Sequence, residues 1–279
     1  MKKRRILSKV YMGVILVLMY MPILIVIVYS FNESRISSVW RGFTFNWYDE
    51  LFKDKAMWTS LRNSVILALL SSFAAAVIGT LGASGAARLR LTLKSGLSFR
   101  LQRIVEYLSI LPIMIPEIIL GMIFLAFFSL LGLPFGMLTL VIAHTAFCIP
   151  YVYLLVRARL AGLDKTYTEA ARVLGAGGMR AFYDITLPLL MPAVISGMLL
   201  SFAMSFDDVI ISVFVTGVNT NTLPVKIYSQ LKTGVTPKTN ALCTLLFAVT
   251  VVLCLGSAYF GRMKHGEKNP ERRAALSNL

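Results

Sequence analysis

The chain has 279 residues, of which 57% are hydrophobic and 15% charged, with a mean hydropathy of +0.74. That is too apolar for a soluble globular domain of this length and predicts an all-α polytopic membrane protein, read as one integral domain over 1–279. The net charge of +15 comes from short basic clusters set between apolar runs rather than from one basic stripe, which argues against nucleic acid and for membrane topology.

Lys2, Lys3, Arg4 and Arg5 precede an apolar run over 10–29. The run is too long for the core of a cleaved leader, and Ser30-Phe31-Asn32-Glu33 offers no small-x-small cleavage site, so it is read as a first membrane helix. Residues 31–60 mix charges with Trp40, Phe43, Phe45, Trp47, Tyr48 and Trp58, a composition suited to an external segment at headgroup level. Further spans are expected at 62–84, 104–130, 135–156, 192–215 and 240–260, the third and fourth separated at Gly132-Leu133-Pro134. Six spans place both termini on one side. Of the 28 Lys and Arg residues, 20 fall on that side and 8 on the other, so the positive-inside bias puts the termini and the 157–187 loop in the cytoplasm.

Residues 166–188 form the long polar interruption in the second half. Thr166 followed by Glu169 fits a capping box at a helix start, and Tyr167, Ala170, Ala171 and Leu174 fall at helical spacing. Gly175-Ala176-Gly177-Gly178 ends that helix in a tight reversal. A second short helix over 179–186 leads to Leu187-Pro188, where the chain turns back into the bilayer. The small alanines are poor lipid anchors, which prefer Trp, Phe and Leu, but they let another backbone come close.

The spacing Glu169-Ala170-Ala171, three residues, Gly175, nine residues, Ile185, one residue, Leu187-Pro188 resembles the Glu-Ala-Ala loop of ABC importer permeases. In that family the loop is a coupling helix docked on a cytoplasmic ATPase, and movement there tilts the membrane bundle. Val173 departs from the pattern, since many members carry an acidic residue there. The chain is further similar to the second permease subunit of spermidine/putrescine importers. This likeness rests on Ser30-Phe31-Asn32, Ser34-Arg35, Trp40, Gly42-Phe43-Thr44, Trp47-Tyr48, Phe206-Asp207-Asp208-Val209, Phe214-Val215-Thr216-Gly217, Leu223-Pro224 and Lys226-Ile227-Tyr228-Ser229, and it continues through Gly234-Val235, Pro237 and Asn240-Ala241. The resemblance implies a type I importer permease fold with a five-helix core over 60–260, in the bacterial inner membrane. It implies a second permease subunit as heterodimer partner, two ATPase subunits and an external polyamine-binding protein. Another solute of the same superfamily remains an alternative.

Ionisable residues inside a span cost roughly 2.5–3.5 kcal/mol each and usually face a bundle interior or a watery path. Glu117, Asp207 and Asp208 are such residues. Glu117 lies 13 residues into the third span and Asp207 lies 15 into the fifth. At about 1.5 Å per residue both are roughly 20 Å deep, a placement that suits a protonated amine passing between carboxylates. Against this, the aspartate pair can instead cap a helix half after a break, and Glu117 can satisfy backbone freed by Pro112 and Pro116.

His144 is expected to be an interhelical hydrogen-bond partner rather than a metal ligand. Phe127, Phe128, Phe147, Tyr151 and Tyr153 are expected to pack, with cation stacking as the alternative. Glycines 79, 82, 121 and 197 fit close helix packing. Cys148, Cys243 and Cys254 read as small buried hydrophobes, with no disulfide or metal spacing and no cofactor implied. No Gly-x-x-x-x-Gly-Lys-Ser/Thr phosphate loop occurs, so ATP hydrolysis is expected on a partner and not on this chain. A stand-alone secondary transporter or channel is the rival class, and it leaves the 169–188 spacing unexplained.

Overall fold

The computed structural model describes residues 2–34, 39–92, 96–164, 166–234 and 236–266. Arg35, Lys94, Lys165, Val235 and the basic tail from 267 onward, which figure in the sequence reading, lie outside the described residues.

Apolar runs become helices because a bilayer offers no water to the peptide groups, which must bond within the segment. In order these are α1 (Lys2–Tyr29), α2 (Asn46–Lys53), α3 (Lys55–Thr92), α4 (Gly96–Met114), α5 (Glu117–Leu130), α6 (Met137–Ala161), α7 (Thr166–Val173) and α8 (Gly178–Ala181). A π-helical segment (Phe182–Thr186), α9 (Leu187–Asp207), α10 (Ile210–Val215), α11 (Leu223–Thr233) and α12 (Pro237–Gly266) follow. The β-structure among the described residues is one isolated bridge between Asn32 and Phe43.

Among the described residues, four helices are long and apolar enough to cross a membrane: Ser8–Tyr29, Lys55–Arg88, Met137–Ala161 and Gly178–Asp207. A fifth candidate is the pair Gln102–Met114 and Glu117–Leu130, which meet at 108°. The third span expected at 104–130 is thus a sharply bent pair, broken at the prolines that interrupt it. Pro112 and Pro116 remove two backbone donors, and the helix restarts at Glu117 in a new direction. The last expected span is represented by a shorter apolar stretch, Pro237–Val252.

The chain divides into two compact units, Met1–Lys55 with Gln230–Leu279, and Ala56–Ser229. In the first, α12 packs on α1 and α2, and Lys238 pairs with Asp54. Asn32 organises the segment after α1. Its Nδ2 donates to the Val39 carbonyl at 2.8 Å, its Oδ1 accepts from the Arg41 amide at 3.1 Å, and its own carbonyl accepts from Trp47 Nε1 at 2.7 Å. Phe31, Phe43, Phe45 and Tyr48 cluster beside it.

In the second unit α6 is the central helix. Val152, fully buried, fills the space left by glycines on two neighbours. A Cβ on Gly79 of α3 would stand 2.9 Å from Val152 Cβ, and one on Gly197 of α9 would stand 3.0 Å from Val152 Cα. Helices in lipid gain nothing from hiding apolar surface from one another, so close backbone approach at small residues is what holds them. The glycine expectation thus acquires specific partners.

Candidate functional site

The loop expected to face the cytoplasm folds as anticipated at its centre and differently at both ends. α7 begins not with a capping box on Thr166 but on Asp164, whose Oδ1 accepts from the Thr166 amide at 2.9 Å and the Thr166 hydroxyl at 2.6 Å. The hydroxyl bond first, and the amide bond second, hold the exposed Asp164 carboxyl below the usual aspartate range. α7 ends in a Schellman turn. Gly175 takes φ +86°, its amide donates to the Arg172 carbonyl at 3.0 Å, and the Ala176 amide donates to the Ala171 carbonyl at 2.9 Å. Glu169 and Ala170 are exposed, Ala171 is buried, and Val173 and Leu174 each stand 87% exposed at the tip.

The chain does not turn at Leu187-Pro188, as the sequence reading expected. It runs as one helix from Gly178 to Asp207. Pro188 has no amide and its ring crowds the carbonyl four residues back, and the turn just before it is widened to π geometry, with the Leu187 amide donating to the Phe182 carbonyl. Ile185 and Leu187 are half-buried and Pro188 is exposed, so these positions lie where the loop runs into α9.

Beneath the loop lies a cavity of about 650 Å³, whose lining includes Arg88, Gln102, Glu106, Tyr153, Arg157 and Phe182. Arg157 pairs with Glu106 at 3.0 Å, tying α6 to α4. Arg88 was not singled out in the sequence. It donates to the Gly178 carbonyl at 2.8 Å and lies 5.0 Å from the centroid of the Phe182 ring.

Of the three intramembrane acids, Glu117 opens α5, Asp207 ends α9 and Asp208 lies in the break before α10. Asp208 follows the end of α9, is 8% exposed, and holds α10. Its Oδ1 accepts from the Ile211 amide at 3.2 Å, and its Oδ2 accepts from the Ser212 amide at 2.8 Å and the Ser212 hydroxyl at 2.9 Å. Fully buried His144 adds the next layer. Nδ1 is 2.8 Å from Ser205 Oγ, and Nε2 is 3.0 Å from Ser212 Oγ and 3.4 Å from Asp208 Oδ2. Ser212 gives its proton to Asp208, so Nε2 carries hydrogen and donates to Ser212, while Nδ1 meets the Ser205 hydroxyl. His144 is thus the interhelical partner expected.

Asp207, the neighbour of Asp208, is exposed, and Glu117 is half-buried at the first turn of α5. α5 and α10 pack directly, with Gly121 against the Phe214 ring, and Glu117 lies within electrostatic range of both aspartates. Tyr151, half-buried and edge-on to Phe147 at 5.6 Å, is in range of Glu117. Phe128 and Tyr153 are buried packing residues and Phe127 is exposed. Cys148 is buried and Cys243 half-buried, both free, and the side chain of Cys254 lies outside the described residues. Among the described residues no group of three metal-ligating side chains occurs.

Residues 79–265 match the family model described as binding-protein-dependent transport system inner membrane component, and the chain belongs to this family. Within it, the chain is 38% identical over 259 residues to the spermidine/putrescine transport system permease protein PotC of Haemophilus influenzae, covering 93% of this chain and 98% of that one. It is 39% identical to PotC of Escherichia coli K12, covering 93% and 96%, and 38% identical to the putrescine transport system permease protein PotI of the same organism, covering 84% and 83%. Among solved structures, a bacterial ABC transporter that imports the acidic polysaccharide alginate shares the fold with a TM-score of 0.71 at 18% identity, covering 93% of this chain and 97% of that one. The inward-facing MetNI methionine ABC transporter does so with a TM-score of 0.61 at 19% identity, covering 73% and 94%. At these identities the structural likeness speaks to the fold alone.

Proposed function

We propose that the chain is the permease subunit of an ATP-driven ABC importer and forms half of the pathway for polyamines, spermidine or putrescine, delivered by an external binding protein. The observation that carries the reading is identity of 38–39% across 93% of the chain to two spermidine/putrescine permeases. A second permease completes the pathway as a heterodimer, and two cytoplasmic ATPases drive it. Six crossings place both termini in the cytoplasm, with the core over 60–260.

Glu169, Ala170, Ala171, Gly175, Ile185, Leu187 and Pro188 form the ATPase-coupling element. The exposed α7 tip and the rigid turn at Gly175 support that role. Asp207 and Glu117 face the passing ammonium groups, with Tyr151 beside Glu117 as an aromatic surface. Asp208, already bonded to three donors, keeps α10 in place beside them. Membership of a binding-protein-dependent family favours this reading over a stand-alone secondary transporter.

The test is uptake of labelled spermidine by cells with and without this chain, other polyamine routes removed, with putrescine and unrelated solutes as competitors. Loss of uptake on deletion, reversed by the gene, is expected. Unchanged uptake would refute the substrate class.

A further inference from the structure

α3 touches both functional regions of the second unit. At one end Arg88 donates to Gly178, the first residue of α8, and stacks on Phe182 of the π segment. A guanidinium suits this double contact, since its flat face covers an aromatic ring while its edge donates a hydrogen bond. Seventeen residues earlier, about 26 Å along the axis at 1.5 Å per residue, Ser71 Oγ lies 2.9 Å from Ser205 Oγ, which bonds His144. Between the two points Gly79 and Gly82 seat α3 on Val152 and Tyr153 of α6. The helix runs from Lys55 to Thr92 without proline.

The covalent route from coupling segment to acids, through α9, is interrupted by the i to i+5 bonding of the π segment and by Pro188 and Pro192, which lack amides. α3 has no such turn. We propose that α3 is a second transmission rod, gripped by the coupling segment at Arg88 and by the serine–histidine network at Ser71. Displacement of residues 174–186 then reaches α10 and Asp207 along α3 as well as along α9. The inference rests on reading 166–188 as the ATPase-coupling loop.

The test uses the whole transporter in proteoliposomes, measuring labelled spermidine uptake and ATP hydrolysis side by side. Arg88→Ala is expected to keep the ATPase bound and hydrolysing while uptake per ATP falls at least about fivefold, the lower end of common coupling strengths. Arg88→Lys restores part of the loss, because it keeps a charge and a donor but not the flat face. Phe182→Leu, which removes only the stacking partner, lowers the ratio in the same direction and carries the test if Arg88→Ala fails to accumulate. Ser71→Ala is then combined with Arg88→Ala. Sites this far apart act independently unless something joins them, so fold-losses that multiply overturn the rod, and a double variant no worse than the stronger single variant supports it. Uptake per ATP unchanged in Arg88→Ala, with the ATPase bound, also overturns it. Ala170→Trp tests the loop reading separately: an ATPase that stays fully bound to that variant removes the loop reading whatever Arg88 does.

Discussion

A Cβ placed on Gly121 of α5 would stand 2.5 Å from Cδ2 of Phe214 on α10. The helix that begins at Glu117 and the one that follows Asp207 and Asp208 thereby meet face to face, and the contact is expected to set the separation of Glu117 from Asp207. Gly121→Ala is expected to force the ring aside at a cost of about 1–3 kcal/mol, typical of overpacking. It should lower both spermidine uptake and the thermal stability of the complex. Adding Phe214→Leu, which makes room, should recover part of each; no recovery would mean that the contact does not set the spacing.

The aspartates are expected to separate by phenotype. Asp208→Asn keeps one acceptor but loses the charge that three donors and His144 surround, so the complex should be destabilised by about 1.5–3 kcal/mol, the range for hydrogen bonds to a charged group. Asp207→Asn should leave stability unchanged and reduce uptake. Thermal denaturation together with transport assays checks both, and equal uptake in wild type and Asp207→Asn would withdraw Asp207 from the pathway.

Gly175→Leu places a branched side chain at φ +86°, where an L residue is strained by about 1–2 kcal/mol. ATP hydrolysis should continue with uptake lost. Gly175→Asn, which tolerates the left-handed region better, should be milder. Normal coupling in the leucine variant would count against the loop as the transmission element.

Asp164 gives α7 a pH dependence. Its folded carboxyl titrates below the unfolded one, so its support for the helix start is present above the unfolded value and is lost as pH falls through the folded value. Amide exchange in α7, corrected for the intrinsic rate, should quicken on acidification. Asp164→Asn should abolish that response, and Asp164→Ala should show fast exchange at every pH. Slow exchange in the alanine variant would show that α7 does not depend on this cap.

What could be read from the sequence follows from which forces are local. Glycine at 175 announced its turn because the left-handed conformation is a property of one residue. The break near Pro116 was visible as two missing donors, but not its 108° angle, which packing against other helices fixes. The roles of Asp207 and Asp208 could not be separated from spacing alone, since their difference lies in His144 and Ser212, contributed by α6 and α10. Arg88 looked like one more basic residue at a helix end, because its partners lie 90 and 94 positions away. The cap at Asp164 was legible and overlooked, since an acid two residues before Thr166 competes for the same amide.

The wide turn over residues 182–186 also sets the azimuth of everything beyond it. A π turn holds one residue more than an α turn, and each residue advances a helix by about 100°. The face that α9 presents to α6, with Gly197 against Val152, is therefore timed by one extra residue in a turn a whole span away from Asp207. Removing a single residue there would swing Gly197 off Val152 and carry the acid round with it, so chain length within this short stretch acts as a phase setting for the pathway.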